Sequence, residues 1–179
     1  MELTASKASQ ETNLPYNTCL KFFDKCRRTI YDHNLPKYVH FKGEIELDEA
    51  YFGGKRKGKR GRGAGHKIPV FGIRERGSKV FVEPVANVDE PTLTKLTRNH
   101  VREGSKTYTD KFRSYNSLIL QGYEHVRVDH EKKFANGKTH INSIESFWAY
   151  AKERLLKHHG VSPQKFPFYL KELEWRFNH

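Results

Sequence analysis

The sequence predicts an α/β protein: a mixed five-stranded sheet flanked by helices, preceded by a small all-helical unit. Three observations predict it. Apolar residues recur with a helical period up to about residue 33, then switch to strand-like alternation after Pro36. Three strand-like segments follow one another with no helix between them. Beyond them, helical and strand-like segments alternate to the end of the chain.

The first unit is read as residues 1–35. Thr4 to Thr12 reads as a short helix, broken by Asn13-Leu14-Pro15. A longer helix follows from about Tyr16 to Tyr31, with Cys19, Leu20, Phe23, Cys26 and Ile30 on one stripe. Lys21, Lys25, Arg27 and Arg28 lie mainly off that stripe. Short helix, tight turn and longer basic helix is the outline of a helix-turn-helix that binds DNA, with Lys21 and Lys25 facing outward. An ordinary helical hairpin with a solvated basic face has the same outline. The two cysteines, Cys19 and Cys26, lie two turns apart on this helix. That is too far for a disulfide, so they read as thiols in a reducing compartment, with no zinc spacing.

The second unit is read as residues 36–179. From Glu44 to Phe52, Glu44, Glu46 and Asp48 point one way while Ile45 and Leu47 point the other. Gly53 to Lys67 has no apolar residue larger than Ala and carries Lys55, Arg56, Lys57, Lys59, Arg60, Arg62 and Lys67. It reads as a loop that contacts DNA phosphates, or as a solvated hairpin tip. Ile68 to Arg74 and Lys79 to Ala86 are the next strands, turning at Arg76-Gly77-Ser78. Asp89-Glu90-Pro91 starts a helix running to about Val101. A strand ends at Asp110, a helix around Tyr115 to Gln121 stops at Gly122, and Tyr123 to Val128 is the fifth strand. Helices from about Asn142 to His158 and Pro163 to Phe177 close the chain. Three antiparallel strands, then a helix and a parallel strand, is the order of the ribonuclease H-like fold.

Composition bounds the chemistry. The chain has 179 residues, a formal charge of +12, twelve Phe and nine Tyr. That supports a packed core and favours a nucleic-acid partner over a merely soluble surface or an acidic membrane. No apolar run approaches the ~20 residues of a membrane span. Against this basic background three carboxylates stand out, Asp48, Asp110 and Glu145. In a ribonuclease H-like sheet the first and fourth strands are neighbours, so Asp48 and Asp110 face each other and a carboxylate on the last large helix can reach them. Oxygen ligands of this kind suit Mg²⁺. Each acid also has a plainer reading. Asp48 reads equally as one of several acids on a solvated strand face, since Glu44, Glu46 and Glu49 are near. Asp110 has the character of a turn cap. Asn142 and Glu145 have the spacing of a capping box.

The chain from about Leu3 to His179 resembles DDE-class insertion-sequence transposases, specifically the ISXO2-like branch. The matching blocks are Glu46 to Lys55, Thr109-Asp110, Tyr115, Gly122-Tyr123, His130, His140 to Lys152, and Leu170 to Asn178. The resemblance implies that Asp48, Asp110 and Glu145 are the catalytic triad and ligands of two Mg²⁺ or Mn²⁺ ions. It implies that Asn142 stands beside the site, and that His130 and His140 lie near it. It further implies cleavage of transposon ends and strand transfer into target DNA by a homodimer or higher assembly on DNA, in the cytoplasm at the nucleoid. A nuclease of the same fold and a non-catalytic DNA-binding remnant are the rival expectations. Members of the branch usually carry a zinc ribbon ahead of the helix-turn-helix, and this sequence has no Cys pairs for one, as expected of a shortened copy or a fragment.

Overall fold

The structure is a computed structural model that describes residues 3–34, 40–53, 67–110, 113–128 and 140–179. Two helices open it, α1 (Ala5–Thr12) and α2 (Tyr16–Asn34). Thr4 caps α1 by accepting the Lys7 amide, and Asn13 ends it in the left-handed conformation (φ 56°). Strands β1 (Glu44–Phe52), β2 (Ile68–Glu75) and β3 (Val80–Pro84) follow, then α3 (Glu90–His100), capped by Asp89. Next come β4 (Lys106–Thr109), a 3₁₀ segment (Arg113–Gln121), β5 (Glu124–Arg127), α4 (Asn142–Leu156) and α5 (Phe166–Asn178). The segment expected as a helix around Tyr115 to Gln121 is therefore the tighter 3₁₀ form.

The strand order is β3-β2-β1-β4-β5. β1 pairs antiparallel with β2 and parallel with β4, and β4 pairs parallel with β5. This mixed five-stranded sheet, covered by helices on both faces, is the ribonuclease H-like arrangement.

The alternation in β1 divides the core. Ala50, Phe52, Tyr108, Ile144, Phe147, Trp148 and Leu170 belong to one apolar layer, between the sheet and α4 with α5. Ile45, Leu47, Phe71, Ile73, Leu93 and Tyr115 belong to the other, under α3 and the 3₁₀ segment. Even-numbered β1 side chains thus face α4 and odd-numbered ones face away from it.

α5 closes the sheet edge. Asn178 accepts the Val80 amide and donates to the Val80 carbonyl, both at 2.8 Å. Glu174 accepts the Val82 amide at 2.9 Å. Residues four apart on a helix are ~6 Å apart and residues two apart on a strand ~6.8 Å, so the helix can satisfy alternate donors of an edge strand. Glu174 is itself buried and paired with buried Lys171 at 2.7 Å. An edge covered this way cannot recruit another strand. Asn178→Ala should lower stability by about 1–2 kcal/mol, two net hydrogen bonds, and increase aggregation. Chemical denaturation with light scattering checks both, and an unchanged midpoint would show that water replaces Asn178 without loss.

α2 docks on α5. Arg27, expected off the apolar stripe, is 4% exposed; its Nε donates to Glu172 at 2.7 Å and its guanidinium lies 3.9 Å from the Tyr169 ring centroid. A guanidinium can be buried where a carboxylate and an aromatic face both receive it. Tyr31 meets Phe168 edge-on at 4.8 Å. Cys19 is buried, while Phe23, Cys26 and Ile30 are half-buried. Lys21 and Lys25 are exposed.

Candidate active site

Asp48 sits in the central strand at a level set by both neighbours. On one side it pairs with Gly72 of β2. On the other, Glu46 is level with Tyr108 of β4, the last pair of that ladder; Asp48 and Asp110 each lie two residues beyond it, and the Asp110 charge acts on Asp48. Asp48 lies in the even-numbered row that faces α4.

α4 is held against that row at two points. Glu46 is fully buried, and its Oε2 accepts the Ile144 amide at 2.9 Å. One turn on, the Trp148 indole Nε1 donates to Asp48 Oδ2 at 3.0 Å. Gly72 makes room for the ring: a Cβ there would stand 2.6 Å from Trp148 Cζ2. Glu46 Oε1 accepts from Arg76 Nε at 2.9 Å. Arg76 also pairs with Glu44, donates to the His140 carbonyl and lies over the Tyr108 ring.

The electrostatics of Asp48 follow from this position. Burial, and next the charge of Glu49, push its carboxyl up from 3.8 to about 7, with Asp110 adding a smaller push. The Glu49 amide and the Trp148 indole act in the opposite direction. A carboxylate crowded by like charges in a partly dry place is a favourable site for a cation. Glu49 itself points to the other face, where its Oε2 accepts from the buried Tyr115 hydroxyl at 2.8 Å.

Glu145 is exposed in the first turn of α4. At about 100° per residue it lies about 60° around the helix from Trp148 and about 160° from Phe147. It therefore flanks the Trp148 side, which carries the contact to Asp48. Among the described residues, no three His, Cys, Asp or Glu side chains are gathered closely enough to hold a metal ion. Asn142 is the exposed first residue of α4. The capping-box reading of Asn142 and Glu145 does not hold: the N-cap is Ile141, with no side-chain cap, and Glu46 takes the Ile144 amide from across the fold. His140 is half-buried, its Nδ1 3.7 Å from Glu46 Oε1. Lys67 stands half-buried just before β2, and Lys21 and Lys25 lie on α2. Lys55, Arg56, Lys57, Lys59, Arg60, Arg62 and His130 fall outside the described residues.

Sequence reasoning missed Glu46, Arg76, Gly72 and the donor role of Trp148. One signal was available: a glycine inside a strand marks a close approach by another element.

A family model described as the ISXO2-like transposase domain matches residues 40–178. An uncharacterized transposase-like protein of Haemophilus influenzae is 43% identical over 100 residues, covering 56% of this chain and 81% of that protein. An uncharacterized protein in the transposable element ISH50 of Halobacterium salinarum is 31% identical over 184 residues, covering 93% of this chain and 61% of that protein. The chain thus spans less than two thirds of the second relative's length. With the domain matched over most of its length, the chain belongs to the ISXO2-like transposase family.

Proposed function

We propose that this protein is a transposase that cuts transposon DNA ends in a metal-dependent reaction and transfers the freed strands into target DNA. The observation that supports this reading is the charge of Asp110 acting on Asp48, each two residues beyond the paired Glu46 and Tyr108, with α4 tied to Asp48 one turn after Glu145. The donor set is all oxygen and anionic, which fits Mg²⁺ or Mn²⁺. Asp48 and Asp110 would hold ions between them, and Glu145 would complete the coordination from α4. When bound, two such ions supply charge neutralisation at the scissile phosphate and an activated oxygen nucleophile. The side chains do the remainder: Asp48 is fixed by Trp148, and Asn142, one turn before Glu145 on the exposed side, faces substrate.

DNA is held in two ways in this reading. Lys55, Arg56, Lys57, Lys59, Arg60, Arg62 and Lys67 bind phosphates without regard to sequence. The unit of residues 1–35 presents Lys21 and Lys25 to a major groove and brings the catalytic unit of residues 36–179 to the element end. Joining two ends in one event calls for a homodimer or larger assembly. The setting is cytoplasmic, at the nucleoid. Among the described residues no helix is long and apolar enough to cross a membrane.

The test uses duplex oligonucleotides carrying the inverted repeat found beside the gene, with Mg²⁺ or Mn²⁺ and with chelator. Cut ends and joined products that need the metal are the expected result. Cutting without joining would make the protein a nuclease of the same fold, and binding with no metal-dependent product would make it a DNA-binding remnant. Because α2 packs on α5 through buried Arg27, the role of the first unit is best tested by Lys21→Ala with Lys25→Ala in the intact chain. This pair should reduce discrimination between element ends and random duplex, measured by competition binding.

A further inference from the structure

We propose that Glu46 and Trp148 form a two-point clamp that positions Glu145 relative to Asp48, with Glu46 acting as a positioning residue and not as a metal ligand. This inference rests on the metal-dependent reaction proposed above.

Glu46 occupies the same row as Asp48, two residues earlier, and by row alone would pass for another ligand. Its surroundings exclude that. It is 0% exposed, and each oxygen is engaged, Oε1 by Arg76 and Oε2 by the Ile144 amide. Arg76 is held in turn by Glu44, the His140 carbonyl and the Tyr108 ring, so Glu46 has little freedom to turn.

What Glu46 does is cap α4. The first amides of a helix have no partner within it, and the amide three residues past the N-cap is ordinarily taken by the N-cap side chain. Here the N-cap is Ile141, which has no acceptor, and Ile144 is that third residue. Glu46 supplies the missing acceptor across 98 positions of sequence. Its carboxylate also meets the positive end of the helix dipole.

The second point of the clamp is Trp148 on Asp48 at 3.0 Å. Glu46 and Asp48 are two residues apart on a strand, ~6.8 Å, and Ile144 and Trp148 are four apart on a helix, ~6 Å. The two spacings match, so both bonds form together. A single contact would let α4 slide or roll; two contacts, with the indole seated on Gly72, fix both motions. Glu145 lies between them and takes its place from them.

The experiment compares the full chain with Glu46→Gln and Trp148→Phe. The first keeps the volume but cannot accept from both the amide and Arg76. The second keeps an aromatic ring but loses the donor together with the indole edge, Cζ2 and Cη2, that lies over Gly72. DNA affinity should stay within about twofold, because neither residue contributes to the basic surface. The cleavage kcat in Mg²⁺ should fall by about 10- to 100-fold, with a rise in the half-saturating Mg²⁺ concentration, as for residues that orient metal ligands. Mn²⁺ should restore more of the lost rate than Mg²⁺, which demands nearer-ideal octahedral geometry. Hydrogen exchange at the Ile144 amide should accelerate in Glu46→Ala, a readout independent of activity. Unchanged kcat and metal dependence in both substitutions would overturn the clamp. So would a loss equal in both metals and matched by a fall in melting temperature, which marks a merely structural role. If the wild-type chain itself shows no metal-dependent cleavage, the proposed function fails first and the clamp with it; the wild-type arm separates the two cases.

Discussion

Replacing Asp48, Asp110 or Glu145 by Ala is expected to lower metal-dependent cleavage by at least about 10³-fold, some 4 kcal/mol of transition-state stabilisation. Binding of DNA should persist or tighten slightly, because each substitution removes a negative charge from a surface meant for phosphate. The effect is large because, in the proposed site, an ion would lose an anionic oxygen for which no described neighbour can substitute. Glu46 is spent on Arg76 and α4, and Glu49 faces the other layer. That second fact makes a control from the adjacent residue. Glu49→Gln keeps an acceptor for the Tyr115 hydroxyl and should retain most of the activity. Single-turnover cleavage with saturating enzyme checks all four substitutions. Cleavage surviving in Asp110→Ala while it vanishes in Glu49→Gln would move the site to the opposite face of the sheet and overturn the assignment.

The same features explain what the sequence made legible. Alternation in β1 assigned Glu44, Glu46 and Asp48 to one face, and the structure places that row under α4. Period and turn residues located the strands to within a residue or two, since both are local properties. The errors came from partners far along the chain. Asn142 and Glu145 have capping-box spacing, yet the cap of α4 comes from β1, and no local pattern could announce it. Arg27 looked like one more basic residue off the stripe until Glu172 and Tyr169 gave it a place to be buried. The Leu170 to Asn178 block resembled a family signature, but its work on the edge of β3 depends on a pairing 98 positions away. Local chemistry is written in the order of residues. The cross-fold contacts that hold α4 and α5 are visible only once the sheet has brought them together.

Asp48→Asn should stabilise the metal-free protein. The folded-state carboxyl is raised from 3.8 to about 7, first by burial and then by Glu49. A raised pKa in the folded state means that this group costs nothing below the unfolded value. The cost grows as pH rises above 3.8 and is complete above about 7. The full shift corresponds to about 4 kcal/mol, and solvent around a half-buried group reduces it to about 1–3 kcal/mol. An Asn side chain keeps an oxygen for the Trp148 indole and carries no charge to repel Glu49 or Asp110. In chelator at pH 8 the melting temperature of Asp48→Asn should therefore exceed that of the wild type by about 2–12 °C, at 2–4 °C per kcal/mol for a chain of this size. The difference should shrink towards zero as pH falls to 4. Adding Mg²⁺ should raise the wild-type melting temperature and leave Asp48→Asn nearly unmoved, since an ion that binds only the folded state stabilises by mass action. In the proposed reaction, stability is given up at Asp48 to keep a charge where the chemistry would need one, as at many active sites. A melting difference that does not depend on pH, or an Asn chain that melts lower at pH 8, would show that the Asp48 charge is already neutralised by the fold and leaves no deficit for a cation to fill.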